Sequence, residues 1–391
     1  GAPLPWGSVT PPATAAVEVA AFLAFAFALF GAEGAAPLRR VRGPALALGT
    51  LAVLGLVQAL PWPASWVQLL SPEHARRYAA AAELSGAPST AMSLSLAPAA
   101  SLATSLLFAA AAAAFCAAAF VSGNRRHRRV LAAALIGSAT IQVFLGTRGW
   151  FARSTEIWGR VVPGHTDRLR GTFVNPDHLA FLIGLALPAV WAWAWWSFRR
   201  ARQEAQVDRR VLHVAAPVVV WLTLFLGSAI TGSRAGLLAA LAAAVAQGLL
   251  VALRDRKRIW AFAGAAAATV GLLVVWIVAR QEGLGRFAAA ARGGGLTSRF
   301  EAWAATLDLW LRFPLFGSGL GTFREAFSLT QPPTLGGAWR HAHSDPLELL
   351  STVGVVGFLV FAIGVFALVR TLWRGLDRGL RSEDRAAVIA A

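Results

Sequence analysis

The sequence of 391 residues has little charge and almost no cysteine. Only 14% of its residues are charged, against 57% that are hydrophobic, and a soluble protein of this size needs more charged surface. Cys116 is the single cysteine, which excludes an intrachain disulfide and a metal site built from several thiolates. Lys257 is the single lysine, so the net charge of +17 comes from arginine.

Long apolar runs fill much of the chain. "TAAVEVAAFLAFAFALFGAE" at 14–33 and "SLATSLLFAAAAAAFCAAAF" at 101–120 are two of them. About 20 apolar residues cross a hydrocarbon core as a helix. Because the runs are continuous rather than alternating, and because every backbone group in lipid must be paired internally, they indicate helices. The sequence therefore predicts an all-α polytopic membrane protein.

We place nine spans on these runs. They lie near residues 14–35, 45–60, 99–121, 130–147, 178–197, 212–230, 235–253, 259–279 and 347–369. The short connections are rich in arginine and fall on the same side in strict alternation, which makes that side cytoplasmic. The longer connections 61–98, 148–177 and 280–346 then lie outside. Because topology explains the basic loops, we expect no nucleic-acid partner.

We interpret residues 1–391 as a single transmembrane domain in which 280–346 forms a large outer loop. That loop is expected to contain short amphipathic helices and part of the active site. The chain does not begin with methionine, and its end reads as the opening of another apolar segment. We therefore keep open that a helix is missing at either end.

Four outer segments contain residues that start helices. The predicted N-caps are Asp177, Ser233, Ser298 and Asp345, the last two in capping-box spacing with Glu301 and Glu348. A helix N-terminus favours anions because its first N–H groups are unpaired. Arg234, Arg299 and His343 stand at three of these starts. An arginine between apolar segments costs free energy and tends to be functional, whereas plain capping remains the alternative for the caps.

Two motifs suggest other sites. His341-x-His343-x-Asp345 has the spacing of a metal motif, but its third and fourth ligands would have to come from elsewhere. We therefore expect no metal and no other cofactor. "FGSGLGTF" at 316–323 looks like a dinucleotide loop, yet no strand–loop–helix unit surrounds it. We interpret it as a flexible turn after Pro314.

A histidine beside a helix start suits a general base, because its pKa lies near neutral pH. Arginine binds diphosphate as a rigid fork and keeps its charge at a membrane. Together these groups indicate transfer from a lipid diphosphate whose departure is stabilised without metal. We favour His343 as the base and keep His341 as the alternative.

Several blocks resemble the O-antigen ligase and O-antigen polymerase family. They are "GTFVNPDHLAFL", "GSRAGLL", "SRFEAWAATLDLWLRFPLFGSGLGTF" and "HSDPLELLSTVGVVG". Their order and spacing match the family over residues 170–360. As a set these motifs are fairly specific, although no single one is.

The resemblance implies a GT-C fold and metal-independent, inverting transfer of a glycan from undecaprenyl diphosphate to an acceptor hydroxyl. The reaction is expected at the periplasmic face of the bacterial inner membrane, among its lipids. The acceptor is lipid A–core in ligases and another repeat unit in polymerases. The family's essential histidine falls at His343, and its two essential arginines, which would hold the diphosphate, fall at Arg234 and Arg299. Further candidates for substrate binding are Arg170, Asn175, His178 and His341.

Two departures from the family pattern leave the acceptor open. The family often has Asn-x-Asn-His where this chain has "NPDH" at 175–178, and His-Asn where this chain has His343-Ser344. A transporter is the alternative from another class, but the predicted spans are almost uncharged at their centres, which counts against it. A membrane metallohydrolase is the remaining alternative.

Overall fold

The computed structural model describes residues 6–31, 36–86, 91–162, 164–254 and 297–377. These residues form an all-α polytopic membrane protein. Seven of their helices are long and apolar enough to cross a membrane. Strands in this part of the chain are limited to two antiparallel pairs of two residues each.

Seven of the predicted spans correspond to these seven helices. The helices cover Pro11–Phe30, Leu38–Ala59, Pro98–Val121, Arg125–Phe151, Pro176–Ala201, Val207–Ile230 and Asp345–Arg374. The span predicted at 235–253 is also helical, over Arg234–Arg254. The span predicted at 259–279 lies outside the described residues.

The described residues divide into two compact units. The first unit holds residues 6–17, 121–162, 164–254 and 372–377, and the second holds 18–31, 36–86, 91–120 and 297–371. The helices are α1 (Pro11–Phe30), α2 (Ala36–Ala59), α3 (Ala64–Leu70), α4 (Pro72–Ser85), α5 (Pro98–Val121), α6 (Arg125–Phe151), α7 (Pro176–Ala201), α8 (Val207–Ile230), α9 (Arg234–Arg254), α10 (Thr297–Arg312), α11 (Phe323–Ala326) and α12 (Asp345–Asp377). The strands are β1 (Trp62–Pro63), β2 (Ala91–Met92), β3 (Glu156–Ile157) and β4 (Arg160–Val161).

Prolines and short polar residues set several helix starts. Helices α1, α4, α5 and α7 each begin on a proline, whose fixed φ suits the first helical position. The prediction of Asp177 as the cap of α7 is wrong. Asn175 is the cap, because its side chain accepts a hydrogen bond of 2.9 Å from the Asp177 N–H. Asp177 lies in the first turn and pairs instead with Arg168.

Helix α7 is the centre of the first unit, where it packs against α6, α8 and α9. Its buried face includes Leu179, Ile183 and Val190, all without solvent exposure. Glycines let neighbouring backbones come close. A Cβ at Gly146 would lie 2.6 Å from the Gly171 N atom, so α6 contacts the segment that precedes α7 directly.

Helix α12 in the second unit is broken at Gly354. This residue has φ 63° and ψ −170°, a combination that only glycine adopts readily. The break leaves two N–H groups without helical acceptors, and neighbouring backbone takes their place. Val355 N–H donates to the Pro314 carbonyl at 2.9 Å, and Val356 N–H donates to the Leu315 carbonyl at 3.2 Å.

The turn at 316–323 forms hydrogen bonds with the backbone of α12 just before this break. Gly319 N–H donates to the Thr352 carbonyl at 2.9 Å. The fully buried Gln58 side chain donates to the same carbonyl at 3.1 Å and accepts from Leu320 N–H at 2.9 Å. The segment is a turn, as predicted, but it is tightly packed and the predicted flexibility is wrong. Backbone pairing across the break accounts for this rigidity.

His74 on α4 is buried in the second unit with no solvent exposure. Its Nδ1 atom lies 2.7 Å from Ser71 Oγ, and its ring meets Phe313 edge-on, with the ring centroids 4.6 Å apart. Burial lowers the pKa of His74 from 6.5 to about 4, because desolvation disfavours the charged imidazolium. The side chain is therefore neutral in the folded protein near neutral pH.

This lowered pKa predicts a loss of stability in acid. His74 has a pKa of 6.5 in the unfolded chain and of about 4 in the folded chain. As the pH falls between these two values, the unfolded chain binds a proton at His74 and the folded chain does not, which favours unfolding. The cost reaches about 3 kcal/mol at pH 4. His74→Gln stays neutral throughout, so its thermal unfolding in detergent should lack this component between pH 6.5 and 4. A parallel decline in the two proteins would contradict the assignment.

Candidate functional site

Helix α9 begins at Arg234, as predicted from the sequence. The preceding turn is built by Thr231, Gly232 and Ser233. Gly232 has φ +65°, and Ser233 caps the helix by accepting a hydrogen bond of 3.2 Å from Gly236 N–H. Arg234 is exposed at the helix start. Its neighbouring N–H groups and its guanidinium both favour an anion there.

Arg168 ties the segment before α7 to the turn before α9. Its Nε donates to the Thr231 carbonyl, and its Nη2 donates to Asp177 Oδ1 at 2.6 Å. The guanidinium of the buried Arg170 donates to three backbone carbonyls of the loop at 154–164, over 3.0–3.2 Å. Through these bonds Arg170 orders the loop. The role of Arg170 in substrate binding stays a prediction.

The other two candidates near α7 lie at its first turn. Asn175 caps the helix, as described above. His178 is exposed, and its ring meets Phe173 edge-on at a centroid distance of 6.4 Å. Their predicted contacts with substrate stay predictions.

In the second unit, Glu348 holds the segment that carries both histidines. Its Oε2 accepts a hydrogen bond of 2.9 Å from Ala342 N–H, and its Oε1 lies 3.0 Å from His341 Nδ1. The predicted capping box, in which Glu348 would bond the backbone of Asp345, is therefore wrong. Helix α12 already includes Asp345, and the glutamate reaches further back along the chain.

Trp303 on α10 holds the same segment from the other side. Its Nε1 donates to the Ala342 carbonyl at 3.0 Å, so both backbone groups of this fully buried alanine are bonded. Arg299 lies one turn before Trp303 on α10, and residues four apart share a helix face. The structure therefore brings the exposed Arg299 to the face of α10 that contacts the histidine segment.

The start of α10 differs from the predicted capping box. The described helix already includes Thr297, so Ser298 lies within it. Glu301 accepts a hydrogen bond of 2.8 Å from Thr334 Oγ1. The carboxylate therefore joins α10 to the loop at 330–344.

The two histidines have different surroundings. The hydrogen bond to Glu348 raises the pKa of His341, which favours the protonated ring. His343 is exposed, lies in the left-handed region with φ +53°, and meets the Trp339 ring edge-on at 5.6 Å. A bulky residue with positive φ is strained and persists only where its surroundings fix it.

The residues of the His341-x-His343-x-Asp345 motif do not form a metal cluster in the structure. Across the described ranges, no three side chains of histidine, cysteine, aspartate or glutamate come together as a metal site. Glu348, rather than Asp345, is the acid beside His341.

Residues 218–362 match the family described as O-antigen ligase. Over these residues the chain is similar to the O-antigen ligase family. The match includes Arg234, Arg299, His341 and His343 and supports a ligase-like or polymerase-like activity, with a lipid-linked glycan and a glycan acceptor as substrates in general. No curated protein matches the chain.

Sequence reasoning missed the two groups that fix the histidine segment in the region that matches the O-antigen ligase family. The sequence predicts a capping role for Glu348 and gives no signal that assigns a role to Trp303. Both act over distances along the chain that periodicity does not reveal. The Trp303 indole and the Ala342 carbonyl that it binds are 39 residues apart.

Proposed function

We propose that the protein is an O-antigen ligase-like glycosyltransferase of the GT-C type in the bacterial inner membrane. Its donor is a glycan on undecaprenyl diphosphate, its acceptor is a hydroxyl of lipid A–core, and its active site faces the periplasm. The observation that supports this most is the anchoring of the His343 segment by Glu348 and Trp303 within the region that matches the O-antigen ligase family.

In the proposed reaction, the His343 imidazole accepts the proton of the acceptor hydroxyl as its oxygen attacks the anomeric carbon. The bond from that carbon to the diphosphate oxygen breaks, so undecaprenyl diphosphate leaves and the configuration inverts. We assign Arg299, and from the resemblance also Arg234, to the negative charge on the leaving diphosphate. No metal or other cofactor takes part.

The pairing of His341 supports His343 as the base. A ring that is protonated near neutral pH has no lone pair for the acceptor proton, and the contact with Glu348 raises the pKa of His341 in that direction. His343 is exposed at the start of α12 and coincides with the histidine that the resemblance marks as essential.

Within the described part of the chain, the break in α12 favours a transporter, because discontinuous membrane helices often hold transported ions. Here protein groups occupy the break. The Thr352 carbonyl accepts from Gly319 N–H and from Gln58. Uptake of a labelled solute by proteoliposomes without any acceptor would support the transporter instead.

A deletion strain tests the proposal and separates ligase from polymerase. Loss of long chains from lipid A–core, with lipid-linked polymer accumulating, is the expected result for a ligase. Lipid A–core capped with single repeats would assign the protein to O-antigen or exopolysaccharide polymerases. An unchanged glycan profile would contradict both.

A further inference from the structure

The first unit contains a basic cleft beside the turn that precedes α9. The cleft has a volume of about 580 Å³, within the range of small-ligand sites. Six of its lining residues bear on the argument: Arg148, Glu156, Trp158, His165, Arg168 and Arg170. Three are arginines and one is an acid. Asp177 pairs with Arg168 from outside this lining, and the remaining net positive charge attracts anions.

Several hydrogen bonds, most of them partly buried, hold the cleft in shape. The buried Arg170 joins three carbonyls of the surrounding loop, and Trp150 Nε1 donates to the Asp167 carbonyl at 3.2 Å. Arg168 uses two of its five N–H donors on Thr231 and Asp177. A rigid frame of this kind positions charged groups for a ligand with little ordering cost.

Trp158 occupies a strained position at the edge of the cleft. It follows β3 in the hairpin to β4, where Trp158 has φ 53° and Gly159 has φ 72°. Such a hairpin turn favours asparagine or glycine at both central positions. A tryptophan there costs about 1–3 kcal/mol. The residue is 58% exposed and lines the cleft, so its aromatic side chain is available to a molecule that enters.

We propose that this cleft binds an acidic sugar residue of the glycan. Arg148 and Arg168 contact its carboxylate or phosphate, and the Trp158 ring covers its apolar face. Arginines recognise such anions through paired hydrogen bonds, and an aromatic ring offers a flat apolar surface to a sugar ring. The inference rests on the proposed function, because glycan is the expected ligand only if the protein transfers glycan.

The neutral state of His165 agrees with this ligand. Burial, and then the charge of Arg168, lower the pKa of its imidazole. A neutral imidazole both donates and accepts hydrogen bonds, which suits sugar hydroxyls. The cleft thus offers positive charge, an aromatic face and a neutral polar group.

Calorimetric titration of the full chain in zwitterionic nanodiscs tests the inference. The probes are glucuronic acid and glucose 6-phosphate, with glucose and inorganic phosphate for comparison. Both acidic sugars should bind at least about tenfold more tightly than glucose, and Arg148→Gln should weaken them about tenfold. Arg160→Gln, on the same hairpin but outside the cleft lining, should leave them unchanged.

Trp158→Gly separates binding from folding. Glycine accepts a positive φ without strain, so the melting temperature should hold or rise while affinity for acidic sugars falls several-fold and that for inorganic phosphate stays the same. Phe151→Ala removes another exposed aromatic ring that does not line the cleft, and should leave sugar affinity unchanged.

Three results would overturn the inference. They are equal affinity for glucose and the acidic sugars, acidic-sugar binding that does not depend on Trp158, and binding that appears only in nanodiscs with an anionic lipid. Because the readout is binding, loss of the proposed transfer activity is scored separately. If acidic sugars bind but no glycan is transferred, the proposed function is contradicted, whereas the inference that the cleft binds acidic sugars is supported.

Discussion

Replacing His343 by asparagine is expected to lower the rate of glycan transfer by about 10²–10⁴-fold, the usual contribution of a general base. Asparagine tolerates the left-handed conformation that His343 adopts at φ +53°, so the backbone should keep its path. It cannot accept the acceptor proton near neutral pH. The measurement is the initial rate of transfer by the purified variant, with its melting temperature as a check on folding.

His341→Asn is the matched control, because it removes the other imidazole two residues away. We expect a loss of about tenfold or less, since His341 is the hydrogen-bond partner of Glu348 and is not the proposed base. If His341→Asn were inactive and His343→Asn active, the two roles would be reversed. If both variants transferred glycan at nearly the wild-type rate, the proposal that a histidine is the general base would be contradicted.

Replacing Gly354 by alanine is expected to destabilise the protein by about 3–5 kcal/mol. The conformation at Gly354 costs an alanine about 1–3 kcal/mol. The added Cβ would also overlap the Leu315 carbonyl, which threatens the hydrogen bonds that Val355 and Val356 donate to the turn, each worth about 1 kcal/mol. Thermal unfolding in detergent and the yield of folded protein report the change.

Gly49→Ala controls for a change of glycine within a membrane helix. Gly49 lies in α2 of the same unit, and a Cβ there would meet no heavy atom within 4 Å. Alanine should leave stability unchanged or raise it by up to about 1 kcal/mol. Equal melting temperatures for Gly354→Ala and wild type would show that α12 does not need its break.

The length of the apolar runs was enough to predict the seven membrane-length helices of the described residues. Continuous runs such as 101–120 predict α5 because burial in lipid leaves the helix as the only way to pair the backbone. Local capping chemistry also located the start of α9 at Arg234, since Gly232 and Ser233 act on neighbouring residues.

The break in α12 was not predicted, because hydropathy stays high on both sides of Gly354. Partners distant in sequence stabilise it. Gln58 and the turn at 316–323 reach its backbone from more than 30 residues away. The cap of α7 was predicted wrongly because Asn175 and Asp177 both suit that position. In the structure Asn175 caps the helix and Asp177 pairs with Arg168.

Part of the candidate site was accessible from sequence. The spacing of the histidine motif indicated either a set of metal ligands or a general base. Which acid lies beside His341 becomes clear only from its contact with Glu348 in the structure. That contact depends on the chain reversing before α12. Spacing alone does not determine such a reversal.

The most direct test of the central claim is a reconstituted transfer reaction. Purified protein is mixed with a glycan on undecaprenyl diphosphate and with lipid A–core, in the presence of a chelator of divalent metals. We predict that glycan appears on lipid A–core and that an equal amount of undecaprenyl diphosphate is released. If the folded protein transfers no glycan, or transfers it only after a divalent metal is added back, the result would contradict the account.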